Sequence, residues 1–408
     1  MTAADEPFPH GTILVLGLVT IVAYGAWYYA FGVLLDPILT ETGWPEAAVT
    51  GSFSVSVALG SVGAVWAGRL ADRLGSRPVL LAGALAGPAG LLLAAATSRV
   101  EVFAVGSVVG GASLQAFGFY HITQATAARA APHQPARAIG RLTIYGAFSS
   151  PLALPLAGWG VTTIGWRPTL RWLALATGVV MIVGALLVRE REQRTASPPA
   201  GGLRAGLGSP LARRFVAGYA LIGLSVGMIL VYQVPLMVGA GLSVGMAAWM
   251  AGARGAAQIT GRIPLSAIVE RLGARRTVRL AFAVIAAGVL VLALSGTVVV
   301  ALIYVALAGF GIGAVSPLLG IYGSELVERS QLGAALGFLT MVGGLAGAAG
   351  PAVAGVLAQA TGTRWWGVAL ALVGALAAVA LMGPVPETEP APAVGPSVSG
   401  NPDRATGW

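Results

Sequence analysis

The sequence predicts an all-α polytopic membrane protein with twelve transmembrane helices in two pseudo-symmetric six-helix bundles. Three observations carry this. The 408 residues are 56% hydrophobic and only 10% charged, where a soluble domain carries about a quarter charged residues. Charge-poor stretches of roughly 20 residues, long enough to cross a bilayer as a helix, recur along the whole chain. The second half also repeats features of the first at an offset of about 198 residues.

Taken in order, charge-free intervals place helices at 11–35, 47–68, 78–98, 102–128, 142–166 and 172–188. The polar segment "REREQRTASPPAGGLRAGLGSPLARR" follows at 189–214. Beyond it, 215–253 exceeds one span and breaks near "GAGLS", and the next helix runs on to about Ile268. The stretch 280–324 breaks likewise near "SGTV", and 330–360 and 365–383 complete the twelve. The expected division is an N-terminal tail at 1–11, a first bundle at 12–188, a linker at 189–214, a second bundle at 215–383 and a tail at 384–408. That last tail is proline-rich and reads as disordered. The opening "MTAADEPFPHGT" lacks the basic region and cleavage site of a signal peptide, so the first helix is expected to be retained.

All 24 basic residues are arginines. With the N-terminus inside, 18 of them fall on the cytoplasmic side, 4 on the outer side and 2 within a helix. The positive-inside rule therefore predicts a multi-pass protein of the cytoplasmic membrane with both termini cytoplasmic. Topology and contact with lipid headgroups account for the net charge of +9 without invoking nucleic acid. Cysteine is absent, which excludes disulfides and thiolate metal sites. No catalytic cluster, phosphate loop or metal-ligand grouping occurs, so the expectation is a non-enzyme without cofactor or metal.

The repeat is clearest at the loops. "ADRLGSR" (71–77) falls on "VERLGAR" (269–275), so Asp72 meets Glu270 and Arg73 meets Arg271. "GWR" at 165–167 falls on "GTR" at 362–364, and Gly140, Gly146, Ser150 and Gly158 fall on Gly337, Gly343, Gly347 and Gly355. A six-plus-six duplication around a polar linker is the sequence form of a transporter built from two related bundles.

"GRLADRLGSR" (68–77) resembles the loop between helices 2 and 3 of the major facilitator superfamily, with a degenerate copy at 269–276. The resemblance implies alternating access and a gating loop formed by Gly68, Asp72, Arg73, Gly75 and Arg77, with Glu270 and Arg271 in the second copy. Asp72 is expected to latch the outward-facing state against the positive N-terminal end of helix 11 near Ser330–Gly333. More narrowly, "YYAFGVLLDPILTETGWPEAAVTGSFSV" (28–55) and "VYQVP…AAQITGR" (231–262) are similar to bacterial relatives of the monocarboxylate transporters. In that family an arginine of helix 8 binds the substrate carboxylate, and Arg262 occupies its position. Two departures stand out: Val33 replaces a lysine of the animal branch and Gln258 replaces an aspartate. Proton coupling through those two groups is not open to this chain.

Arg254, Gln258 and Arg262 are spaced to share one helix face. A guanidinium cannot lose its charge, and a lipid-facing one is costly, roughly 3 to more than 10 kcal/mol. Facing a watery central cavity is the better solution, and the missing counter-ion is then the cargo. Carboxylates take bidentate hydrogen bonds from arginine, so the expected cargo is a small organic anion, with a monocarboxylate favoured. At the repeat offset Ser56, Gly60 and Ala64 fall on the three polar positions. Folding did not require charge in the first copy. Against this stands a structural role, in which the arginines bond helix carbonyls and Glu325 reaches Arg262.

Further binding candidates are Tyr24 and Tyr28, in one stripe of helix 1 with Trp27 and Phe31, together with Gln115, Tyr120, Tyr232 and Tyr322. The alternative for such aromatics is packing. Ladders at Gly60, Ala64 and Gly68 and at Gly343, Gly347 and Gly355 read as close helix contacts. His121 is the one histidine in a predicted span and the candidate for coupling a proton. Symport, uniport and exchange all stay open, and efflux of a lipophilic drug or neutral solute is the rival function.

Overall fold

A computed structural model describes residues 8–188, 209–326 and 332–383, and its regular secondary structure is helical throughout. In the first half α1 (His10–Thr42), α2 (Glu46–Leu74), α3 (Ser76–Ala96), α4 (Val100–Ala130) and α6 (Trp166–Leu187) are each long and apolar enough to cross a membrane. Between the last two, α5 consists of Pro135–Gly146 and Ser149–Ile164. In the second half α7 (Pro210–Gly239), α9 (Ala274–Ala293) and α10 (Val298–Leu326) meet the same criterion, as does the Phe338–Thr361 part of α11 (Leu332–Thr361). There α8 is split into Val244–Arg262 and Leu265–Leu272, and α12 (Trp365–Leu381) is a shorter apolar helix. Among the described residues these make the twelve expected crossings, six in each half.

Boundaries follow local chemistry. Helix α7 starts at Pro210 rather than 215, because Ser209 Oγ accepts the N–H of Ala212 at 3.0 Å and proline suits the first helical position. Arg213 and Arg214, assigned from sequence to the linker, therefore ride on the first turns of α7. The rest of that linker, 189–208, and the tail at 384–408 lie outside the described residues. The repeat appears in the backbone. Gly75 joins α2 to α3 with φ 82° and Gly273 joins α8 to α9 with φ 79°. Gly165 and Gly362, with φ 82° and 71°, do the same before α6 and α12. These are backbone positions that glycine reaches and side-chain-bearing residues resist.

Where polar attraction is scarce, helices in lipid pack through small residues. A Cβ on Gly90 of α3 would sit 2.7 Å from the carbonyl oxygen of Gly106 and the Cα of Gly110, both on α4. Gly223 of α7 lies equally close to the backbone of Gly343 on α11. The two halves meet along α2 with α11, α5 with α8, and α1 with α7. Residues such as Leu85, Trp172, Val179 and Trp366 stay exposed on the flanking helices, which gives the bundle its apolar rim. One expectation needs correcting. Gly60 fits a packing ladder, since a Cβ there would meet Gln115, but a Cβ on Gly68 would meet nothing within 4 Å among the described residues.

Gly90→Leu is expected to lower stability by about 1–3 kcal/mol or more, because backbone cannot yield to the added atoms. Gly68→Ala should stay within about 0.5 kcal/mol of the parent. Thermal melting of both purified variants in detergent checks the contrast, and equal melting would refute the packing account.

Candidate central cavity

Four helices lose regular geometry in their membrane-spanning stretches. Helix α1 widens into a π-helical turn at Tyr24–Tyr29. Helix α4 breaks at Phe119, whose backbone is extended, and α5 breaks at Ala147–Phe148, shortly before Pro151. Helix α8 breaks at Ile263–Pro264. Proline cannot donate the main-chain hydrogen bond that would carry a helix through. Irregular backbone inside a membrane survives where protein buries it or where it lines a cavity.

The breaks of α1, α4 and α5 converge on Arg262. Tyr24, Tyr29, Tyr120, Gly146, Gln258 and Arg262 are among the residues that line a cavity of about 60 Å³. Tyr24, Gln258 and Arg262 also belong to a larger cavity of about 690 Å³ between the halves. Ala64 and Val65 of α2 and Thr340 and Gly344 of α11 extend its wall toward the face that carries most of the loop arginines, called here the arginine-rich face.

The opposite, arginine-poor face is closed by a clasp between the halves. Arg364, at the start of α12, donates through Nη2 to Asp36 Oδ1 at 2.5 Å and through Nε to Glu46 Oε1 at 3.1 Å. Its guanidinium also lies 5.7 Å from the ring centre of Tyr232. Burial lowers the proton affinity of Arg364, but the hydrogen bond and charge of Asp36, with those of Glu46, outweigh this and raise it. Alongside, the Ala47 N–H donates to Gln359 Oε1 across the same seam at 3.2 Å.

The two arginines of α8 differ sharply. Arg262 is half-buried and donates only a long hydrogen bond, Nε to the Gly313 carbonyl at 3.4 Å. Arg254 is fully buried, with Nε donating to Gln233 Oε1 at 2.9 Å. Neither forms an ion pair among the described residues, and Glu325 is an exposed residue. Tyr28, Gln115 and His121 line the large cavity. Gln115 donates to Ser61 Oγ at 2.8 Å, and His121 Nε2 lies 2.8 Å from the Ala116 carbonyl.

Other candidates sit elsewhere. Tyr232 is buried beside the clasp, and Tyr322 is buried near the opposite end, packed edge-on to Phe215 at 4.8 Å. Neither lines the cavity: Tyr232 is taken up at the clasp between the halves, and the Tyr322 ring packs in the core of its own half. The aromatic stripe of α1 divides: Trp27 bonds Ser56 Oγ at 3.2 Å and Phe31 stacks on Phe53 at 4.3 Å, both within the core. Tyr29, not among the residues expected from sequence, lies at the end of the π-turn and lines the small cavity. The adjacent pair Tyr28–Tyr29 was the only hint in the sequence.

In the motif loop, Asp72 accepts from Arg129 Nη1 at 3.2 Å, and Arg129 Nη2 donates to Ser76 Oγ at 2.6 Å. Here Asp72 ties α2, α3 and α4 together within one half. Ser330, part of the segment expected to receive it from helix 11, lies outside the described residues. Arg73, Arg77, Glu270 and Arg271 are exposed beside Gly75 and Gly273.

The sequence profile of the Major Facilitator Superfamily matches residues 16–242 and 215–402. No curated protein matches the chain in sequence. Among solved structures, the nucleoside transporter NupG aligns with TM-score 0.75 at 15% identity, covering 91% of this chain and 96% of that one. A bacterial homolog of the human lysosomal transporter Spinster, in its inward-facing and occupied conformation, aligns with TM-score 0.69 at 15% identity over 93% and 94%. A D-xylose–proton symporter aligns with TM-score 0.66 at 15% identity over 91% and 97%. At such identities the likeness is one of fold.

The absence of cysteine allows a direct check of which face is open. Ala64→Cys should react with a membrane-impermeant thiol reagent applied to the arginine-rich face and resist it from the other. Adding Arg364→Gln should admit reagent from the arginine-poor face, read as labelling in sealed vesicles of each orientation. Unchanged one-sided labelling would remove the clasp from any gating role.

Proposed function

The chain belongs to the Major Facilitator Superfamily, and on that premise we propose that it transports a small organic anion, a monocarboxylate above all, across the cytoplasmic membrane by alternating access. Arg262 is the observation that carries this reading. Its guanidinium stands in the wall of the central cavity with one long main-chain hydrogen bond and no carboxylate partner among the described residues. Such a group takes a carboxylate through two parallel, charge-assisted hydrogen bonds. Gln258 and the phenols of Tyr24, Tyr29 and Tyr120 share the small cavity with it and supply further donors. A cationic cargo would want an acid at the same depth, and the described carboxylates stand toward the two faces of the bundle.

In this reading the arginine-rich face is cytoplasmic, and the structure is the inward-open state held by the Arg364 clasp. Rocking of α1–α6 against α7–α12 opens the other side, and in that outward-open state Asp72 serves as the latch on the cytoplasmic face. His121, in the cavity wall, is the group through which a proton would be coupled.

A second reading rests on the apolar part of the same wall, including Val57, Ile222, Val226 and Ile312. It assigns the cavity to a lipophilic drug or neutral solute, with the arginines only shaping it. Uptake of labelled formate, lactate, pyruvate and succinate into proteoliposomes, with and without a pH gradient, separates the two. Saturable uptake supports the anion reading, and its response to the gradient decides between symport and facilitated movement. No uptake of any carboxylate makes the second reading the stronger.

Arg262→Lys keeps the charge and loses the fork. Folding should survive while carboxylate uptake falls roughly 10- to 100-fold, the equivalent of a lost charge-assisted hydrogen bond of about 1.5–3 kcal/mol. Unchanged uptake would take Arg262 out of the binding role.

A further inference from the structure

About two turns from Arg262, nearer the arginine-poor face, Arg254 sits in surroundings of another kind. No solvent reaches it. Gln233 Oε1 accepts from Arg254 Nε at 2.9 Å and from the Tyr304 hydroxyl at 2.8 Å, while Gln233 Nε2 donates to the Leu230 carbonyl at 3.2 Å. That amide is held in one orientation and fixes the arginine in turn. The terminal nitrogens Nη1 and Nη2 are buried and have no acceptor among the described residues. These nitrogens carry four of the five guanidinium N–H donors, and the group cannot discharge itself by losing a proton. A hydrogen-bonded charge left without a counter-charge in a dry interior is strongly unfavourable, and a carboxylate is the acceptor whose geometry fits two parallel donors.

Seams between the halves run beside the two helices, α7 and α8, that hold the Arg254–Gln233 pair. On α8, Ala248 lies against Gly158 of α5, and Gly252 lies against Pro155 and the Ser150 carbonyl. On the neighbouring seam, Gly32 of α1 abuts the Val231 carbonyl of α7. Tyr28 and Tyr29 of the π-turn feel the Arg254 charge, and Tyr29 feels that of Arg262 as well. Rocking opens these seams, beginning at the Arg364 clasp. With 1.5 Å of rise per residue, Arg254 stands about 12 Å further from the cytoplasmic face than Arg262.

We propose that Arg254 is a second anion station, which takes a carboxylate on Nη1 and Nη2, is sealed in the inward-open state, and opens to the outside when the clasp parts. It rests on the reading that the cargo is a carboxylate and adds a step to it. An anion arriving from outside meets Arg254 first and passes by way of Tyr29 to Arg262, which faces the cytoplasm. One guanidinium is exposed in each state.

The test is thermal melting of the purified full-length protein, followed by tryptophan fluorescence, with titration of sodium formate and, separately, sodium chloride at constant ionic strength. Arg262→Gln should keep a saturable formate-dependent rise in Tm, Arg254→Gln should lose that component, and the double variant should lose all of it. In the Arg262→Gln background, Asp36→Asn should weaken the clasp and lower the half-saturating formate concentration severalfold. Loss of every formate effect in Arg262→Gln alone, or a parental profile in Arg254→Gln, overturns the proposal. A shift with chloride and none with formate also overturns it and assigns the site to an inorganic anion. If Arg254→Gln does not fold, Arg254→Lys keeps the charge without the fork and should bind formate more weakly; equal binding overturns the proposal. Absent carboxylate uptake with the Arg254-dependent formate shift intact sinks the transport reading alone.

Discussion

An arginine inside a membrane keeps its proton and must be met by acceptors or by an anion. Helix α8 carries two, and much of the central architecture answers to them. The π-turn of α1 brings Tyr29 to the small cavity beside Arg262, and Gln233, steadied by Tyr304, orients Arg254. The break at Ile263–Pro264 falls immediately after Arg262, so the helix that presents the charge ends beside the cavity. Each of these features spends regular helix or apolar packing in a solvent where regular helix is the default. A bundle built only to span a bilayer would need none of them.

The duplicated scaffold shows where that departure is concentrated. Loop glycines at 75 and 273, and at 165 and 362, keep the same positive φ in both halves. At the level of the cavity the copies part. In α2, Ser56 accepts the Trp27 indole N–H and Gly60 admits the side chain of Gln115, so these positions lock α1, α2 and α4 together. The matching positions of α8 are Arg254, Gln258 and Arg262. One half supplies a rigid wall and the other supplies charge. A site between two such bundles carries arginine on one side only, facing phenols and the Gln115 amide on the other.

How much of this was legible in the sequence depends on the distance over which each feature is determined. The crossings and their breaks at "GAGLS" and "SGTV" are local consequences of hydropathy and turn residues, and the structure has α7 ending at Gly239 and α9 at Ala293 as expected. Helical spacing put Arg254, Gln258 and Arg262 on one cavity-facing face, but only Gln258 and Arg262 line the cavity, while Arg254 is buried against Gln233 of its own half. The clasp was not legible, because Arg364 meets Asp36 across 328 positions and its charge reads as topology. Tyr29 was missed because one π-turn shifts the facing of every later side chain on that helix. Tyr232 and Tyr322 look like binding residues only until the clasp beside the one and the core around the other are known. Gly68 resembles its neighbours in composition and differs in having nothing opposite it among the described residues.

Those same contacts bear on how readily the halves can exchange positions. In lipid the seams α1–α7 and α5–α8 gain van der Waals packing but little hydrophobic driving force, so close glycine contacts can separate without a large penalty. The clasp is neither fully buried nor fully exposed: the side chains of Arg364, Asp36 and Glu46 retain 25%, 35% and 16% of their accessible surface. Exposed ion pairs are worth about 0–1 kcal/mol, whereas stripping one member from a buried pair costs about 3–5 kcal/mol. An intermediate pair whose members regain water as the seam opens holds the state without trapping it. With the protein's own preference kept small, the direction of each swing falls to whatever binds the two states unequally, because a ligand shifts an equilibrium only by its differential affinity. The arginines of α8 sit where an anion would make that difference, one sealed behind the seams and one facing the open cavity.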